Sequence, residues 1–117
     1  EPITIYGDGT QSRVFCHVQD AVKAILTLAA TDSAIGEVYN VGGIGETSIK
    51  QLADKIIERT KSTSEITFTP YDDAYPAGYE DMQRRVPDIT KIKNAIGWSP
   101  TNSLDNIIDD VAAEMKK

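Results

Sequence analysis

Apolar residues fall along this chain in two rhythms, a period of two in short runs and a period of three to four in longer ones. Residues 2–6 (PITIY) are rich in β-formers and stop at Gly7-Asp8-Gly9, which predicts a strand and then a tight turn. From 13 to 18, Val14, Cys16 and Val18 alternate with Phe15 and His17, the pattern of a second strand. Asp20 is a good N-cap for a helix near 20–31, whose apolar residues Val22, Ile25, Leu26 and Ala29 share one stripe.

Residues 38–41 (VYNV) form a short β-rich run ended by Gly42 and Gly43. Ser48 and Gln51 have the spacing of a capping box, and Ile49, Leu52, Ala53, Ile56 and Ile57 after them predict an amphipathic helix. Residues 66–69 alternate Ile and Phe with Thr and end at Pro70, which predicts another strand. Residues 71–86 have no period and read as a long loop, a length that in a compact domain marks either function or disorder. Asp88 caps a short helix with Ile89, Ile92 and Ile96 inward, and Gly97 ends it. Ser103 caps a last helix whose stripe is Leu104, Ile107, Ile108, Val111, Ala112 and Met115. The expected fold is α/β, a small mixed arrangement of short strands and about four helices.

A length of 117 residues, 40% of them hydrophobic, suits one domain. Its formal charge of −6 disfavours a phosphate backbone as partner, so nucleic acid is not expected. No run of about 18 apolar residues occurs, so no membrane span is expected either. Cys16 is the only cysteine, which favours a reducing, cytoplasmic setting, and with a single histidine it leaves too few soft ligands for a structural zinc site. Glu1 and Pro2 run straight into a strand pattern with no initiator Met, as though the chain were the middle of something longer.

The string from Ile5 to Asp20, IYGDGTQSRVFCHVQD, resembles the segment that opens the substrate-binding half of NAD-dependent nucleotide-sugar epimerases and dehydratases. These form the extended short-chain dehydrogenase/reductase family. Three more strings match it in order and spacing: VYNVGG at 38–43, RRVPDITK at 84–91 and IGWSP at 96–100. Together they cover nearly the whole chain, and the likeness is nearest to UDP-glucose 4-epimerase-like members. Two hallmarks of the family are missing. No GxxGxxG turn is present to bring backbone amides to a dinucleotide pyrophosphate. None of Tyr6, Tyr39, Tyr71, Tyr75 and Tyr79 has a lysine four residues later, so the catalytic Tyr-x-x-x-Lys is absent too. The resemblance therefore implies a C-terminal, substrate-binding portion that lacks the NAD-binding Rossmann domain and catalyses nothing alone. NAD would be the parent enzyme's cofactor, with none bound by this chain.

The resemblance also supplies candidate site residues. It places Arg13 on the diphosphate of a UDP- or dTDP-sugar, where a guanidinium forks two donors onto phosphate oxygens as lysine cannot. The bland reading of Arg13 is a surface arginine paired with Asp8 or Asp20. The second diphosphate arginine is Arg84 or Arg85, the other pairing with Asp81 or Asp88; a solvated charge cluster is the alternative.

His17 reads as a packed, hydrogen-bonded histidine, Cys16 as an inert core residue and Trp98 as an anchor between the last two helices. Asn40 lies at a turn that the family places near the nicotinamide end of the cofactor, although a turn role suffices for it. No residue is assigned to catalysis, cofactor binding or metal. The expectation is the nucleotide-sugar-binding half of an NAD-dependent epimerase or dehydratase. Exposed strand edges and helix stripes would make the isolated chain self-associate, and the parent is implied to be a homodimer. The rival is a free-standing nucleotide-sugar-binding or protein-interaction module without catalysis.

Overall fold

The PITIY run forms strand β1 (Ile3–Tyr6), and the glycine turn after it leads into a two-residue strand β2 (Ser12–Arg13). Helix α1 (Val18–Ala29), a 3-10 turn (Asp32–Ala34), strand β3 (Thr47–Ser48) and helix α2 (Ile49–Thr60) follow. Then come strand β4 (Ile66–Thr69), helix α3 (Tyr71–Ala74), strand β5 (Arg84–Arg85) and helices α4 (Thr90–Ile96) and α5 (Leu104–Met115). This computed structural model describes residues 1–117. β1 and β4 pair in parallel, with Ile5 opposite Phe68. β2 is the centre of a second, three-stranded sheet, antiparallel to β3 and parallel to β5. The fold is the mixed α/β arrangement expected, with α3 as the helix beyond the expected four.

Helix boundaries follow their local signals. The Gln51 amide donates to Ser48 Oγ at 3.1 Å and the Ser48 amide to Gln51 Oε1 at 2.9 Å, closing the capping box of α2. Ser103 accepts from the Asn106 amide at 3.2 Å to start α5; the N-cap position of α4 is Ile89 rather than the expected Asp88, which sits one residue earlier and accepts from the Thr90 amide at 2.9 Å. Gly97 ends α4 at φ 67°, a left-handed conformation that favours glycine. α2 and α5 pack together around Ala53 and Ile108, and Arg59 of α2 bridges Asp105 and Asp109 of α5 at the rim.

Four expectations about the elements are corrected. The strand predicted over 13–18 ends at Arg13, because no backbone partner runs alongside beyond that point. His17 rather than Asp20 caps α1: its Nδ1 accepts from the Gln19 amide at 3.0 Å, and the helix starts two residues early. Residues 38–41 pair with no strand. They lie along α4 instead, where Lys91 Nζ donates to Val38 O at 2.8 Å and sits 4.8 Å from the centre of the Tyr39 ring. Finally, 71–86 is not structureless, since it contains α3 and β5.

Displaced from its predicted capping role, Asp20 organises a cluster of long-range contacts. Its carboxylate, only 4% exposed, accepts from the Thr101 amide at 3.1 Å and hydroxyl at 2.9 Å. It also accepts from the Asn102 amide at 3.0 Å and side chain at 3.2 Å. The Asp20 carbonyl oxygen accepts from Trp98 Nε1 at 3.0 Å. Trp98 is thereby an anchor between α4 and α1, not between the last two helices as expected. It is buried with Ala24 and Ile92, against which Cys16, Leu28, Tyr39, Val41, Ile89 and Ile96 pack.

This core is small for the chain. A folded protein of this mass ordinarily exposes about 6,300 Å² and has a radius of gyration near 13 Å. Here 8158 Å² is exposed, the radius of gyration is 17.1 Å, and the extents are 49 × 39 × 21 Å. The molecule is a slab, and much of its apolar surface faces outward. The predicted stripe of α1 is on the outside, with Ile25 60% and Leu26 65% exposed and Val22 beside them, and Val18, which the early start of the helix adds to it, is 69% exposed. The inward face of α1 carries Asp20 and Ala24 instead.

Burial pushes the Asp20 carboxyl up, but the bonds from Asn102 and Thr101 together outweigh it and hold the group below its ordinary range. A carboxyl depressed in the folded state contributes stability above its unfolded pKa of about 4 and loses it as pH falls through the folded value. Asp20→Asn replaces a charged acceptor of buried amides with a group that is itself half donor, and is expected to cost about 2–4 kcal/mol near neutral pH. Urea denaturation of both proteins checks this, with the gap between them closing as pH is lowered below about 4.

Candidate functional site

The Gly7-Asp8-Gly9 turn leads the chain out of one sheet and into the other. Gly7 and Gly9 have φ of 79° and 77°, and Asp8 Oδ1 between them accepts from the Thr10 amide at 3.0 Å and hydroxyl at 2.7 Å. Any side chain at Gly7 would collide with the ring of Tyr71, so the segment predicted as a loop closes directly over the turn. Gln83 fastens its far end, donating from Nε2 to Thr10 Oγ1 at 3.0 Å and accepting from the Ser12 amide at 2.8 Å.

The second sheet decides how the arginines are arranged. In the parallel β2–β5 register, Ser12 stands opposite Arg84 and Arg13 opposite Arg85. Neighbouring residues on a strand point to opposite faces, so Arg13 and Arg85 share one face and Ser12 and Arg84 the other. Thr47, paired with Arg13 across β3, joins the first face.

Arg84 is committed on its own face. Its Nε donates to Glu46 Oε1 at 2.9 Å, and the Ser12 hydroxyl donates to the same oxygen. The Ser12 bond first and Arg84 second hold the Glu46 carboxyl below its usual range. The expected partners of this arginine, Asp81 and Asp88, are not the ones it takes. Arg85 is exposed and enters no ion pair.

Arg13 is paired with neither Asp8 nor Asp20. Its Nη2 donates to Asp81 Oδ1 at 2.7 Å, its Nη1 to Ser12 O at 2.7 Å, and the Tyr71 hydroxyl donates to Asp81 Oδ2 at 3.3 Å. Burial first, and then the Asp81 charge, push the Tyr71 phenol up. Tyr71 belongs to an aromatic group that composition and periodicity did not expose. Tyr75 and Tyr79 stack with ring centres 4.0 Å apart, and Tyr6 meets Tyr75 edge-on at 5.4 Å. A signal was present in the four-residue spacing of Tyr71, Tyr75 and Tyr79, hidden because the segment has no apolar rhythm.

The other singled-out residues are structural. His17 is buried; with Nδ1 accepting from Gln19, the proton resides on Nε2, which donates to Asp110 Oδ2 at 2.8 Å. Cys16 is half-buried, and burial first and then Asp20 push its thiol up. Asn40 donates to Asp88 O at 3.4 Å, a weak contact across to the start of α4. No group of three His, Cys, Asp or Glu side chains is placed to hold a metal, and no helix is long and apolar enough to cross a membrane.

The family model for GDP-mannose 4,6-dehydratase matches residues 1–111. The chain belongs to that family, within the extended short-chain dehydrogenases/reductases. UDP-N-acetyl-alpha-D-glucosaminuronate decarboxylase of Bacillus cytotoxicus is 40% identical over 104 residues, covering 88% of this chain and 32% of that protein. UDP-glucuronic acid decarboxylase 2 of Arabidopsis thaliana is 36% identical, covering 89% of this chain and 22% of that protein. The chain thus spans a third or less of the length of these relatives.

The solved structure of UDP-glucuronic acid 4-epimerase from Bacillus cereus, in complex with UDP-glucuronic acid and NAD, superposes with a TM-score of 0.83. The two are 26% identical, over 98% of this chain and 36% of that one. UDP-glucose 4-epimerase from Thermotoga maritima with UDP-glucose gives 0.76 at 28% identity, over 98% of this chain and 36% of that one. At the Gly42-Gly43 turn, Pro87 and the Phe15 carbonyl oxygen occupy the space that a side chain at either glycine would need.

Proposed function

We propose that this chain is the substrate-holding part of a nucleotide-sugar-modifying enzyme, and that Arg13 and Arg85 bind the diphosphate of a UDP- or dTDP-sugar. The observation that carries the reading is the β2–β5 register, in which Arg13 stands opposite Arg85 on neighbouring strands. Two forked cations at neighbouring positions suit two neighbouring phosphates. Arg84, with its Glu46 partner on the opposite face, is left out. Tyr6, half-exposed at the rim of the aromatic group, offers a ring face beside the same turn for the nucleobase. Relatives and structural neighbours named for UDP-sugars support the substrate class.

In such an enzyme NAD, held by parts of the protein outside this chain, supplies a reversible hydride acceptor. The residues here anchor the diphosphate and fix the sugar relative to that acceptor, a gain in positioning rather than in bond chemistry. The unpaired, half-buried Cys16 suits a reducing, cytoplasmic setting. The same reading assigns the outer face of α1 to contact with an NAD-binding domain, which would cover Val18, Val22, Ile25 and Leu26, and it makes the whole protein a homodimer.

Charge-assisted bonds to phosphate are worth about 1.5–3 kcal/mol each. In NMR titrations with UDP, Arg13→Ala and Arg85→Ala are each expected to weaken binding about tenfold to a hundredfold, and Arg84→Ala to change it less than threefold. An Arg84→Ala loss as large as the other two would overturn the assignment.

The isolated chain is expected to dimerise through α1. Its surface exceeds that of an ordinary fold by about 1,900 Å², more than the roughly 800 Å² per partner that a stable interface needs. Light scattering at tens of micromolar checks this, and Leu26→Glu should return the protein to a monomer. A monomeric wild-type chain would refute the assignment of that face.

A further inference from the structure

Arg13 already has an anion on it. Asp81 Oδ1 lies 2.7 Å from Nη2, and the pair is well sheltered, with side chains 13% and 28% exposed. Tyr71 steadies the other carboxylate oxygen, and its own ring is packed against Gly7. Arg85, in register beside Arg13, has no such partner. The face offered to a diphosphate therefore carries two guanidinium charges and one carboxylate.

A ligand phosphate arriving at Arg13 either displaces Asp81 or sits next to it. Both routes cost more as the ligand's charge rises, because the repulsion between phosphate and carboxylate scales with the product of their charges. A nucleotide sugar carries about one negative charge on each phosphate, since both are esterified. A free nucleoside diphosphate carries about one more, on its terminal phosphate, whose second pKa is near 6.

We propose that Asp81 is a specificity-determining residue, an internal competitor for Arg13 that makes the site favour the esterified diphosphate of a nucleotide sugar over the free nucleoside diphosphate. This rests on the reading of Arg13 as a diphosphate ligand. With Asp81 in place, two arginines and one carboxylate tolerate two ligand charges better than three. Without it, the extra charge of the free diphosphate becomes an advantage. The consequence is a site less prone to blockage by the nucleoside diphosphates that glycosyl-transfer reactions release from the same substrates.

The test is to titrate the wild-type chain and Asp81→Asn with UDP and with UDP-glucose at pH 7.5 and low salt. Asp81→Asn is expected to tighten UDP about tenfold and UDP-glucose at least threefold less, with both gains shrinking at 0.5 M salt. Asp81→Ser should behave alike, and Tyr71→Phe, which keeps the carboxylate, should retain most of the wild-type preference. In an Arg13→Ala background the Asp81→Asn effect on the ratio should vanish. Equal tightening of both ligands, or weakening of both, overturns the proposal while leaving Arg13 as a ligand. UDP binding that ignores Arg13→Ala, or no binding by either protein, overturns the functional reading and this inference with it.

Discussion

The buried carboxylate of Asp20 is the constraint on which the arrangement of the chain depends. It lies in the first turn of α1, yet its acceptors serve Thr101 and Asn102, some eighty residues later. Those two amides belong to the segment between α4 and α5, where no helical partner is available to them. Trp98 reaches the same residue through the Asp20 carbonyl oxygen and closes the small core over Ala24 and Ile92. Were this knot undone, α4 and α5 would keep their own caps but lose their position relative to α1. An isolated buried charge would be a liability; four donors on one carboxylate turn it into a joint.

That joint explains why α1 sits as it does. With Asp20 and Ala24 drawn inward, the wider apolar stripe of Val18, Val22, Ile25 and Leu26 must face out. An amphipathic helix usually buries its larger apolar face; here that face is left open to solvent. The slab shape follows from the same fact, because the second apolar layer that would thicken the molecule is not supplied by these residues.

Features readable in the sequence were those whose cause is local. Ser48 with Gln51, Ser103 with the amide three residues on, and Gly97 after the last Ile of α4 each satisfy a helix end within a few residues, and each is where it was expected. Misreadings came where a distant partner decides. Alternation over 13–18 is real, but a strand also needs a neighbour, and β3 and β5 accompany only Ser12 and Arg13. The VYNV run has β-forming residues and no strand beside it within the chain. Asp20 looked like a helix cap because an aspartate before an apolar stripe ordinarily is one; nothing near it in sequence points to Thr101. Of the proposed site, the resemblance named Arg13 and left Arg84 and Arg85 undivided; which of the two stands beside Arg13 depends on a register only the folded sheet possesses.

The two ends of the molecule differ in how they are held, and the difference suits their roles. Around Asp20 the contacts are buried and mutually dependent. Around Arg13 they are short strands of two residues, aromatic edges, the half-buried Arg13–Asp81 pair and the more exposed Arg84–Glu46 pair. Contacts of this kind can rearrange without disturbing the core. The turn at Gly7 to Gly9 insulates one from the other: it carries the chain out of the β1–β4 sheet and into β2, and its geometry is fixed by Asp8 and the two positive-φ glycines rather than by whatever Arg13 holds. The rigid half of the fold thus positions the strand that bears Arg13, while the segment from Tyr71 to Gln83 determines what that arginine meets.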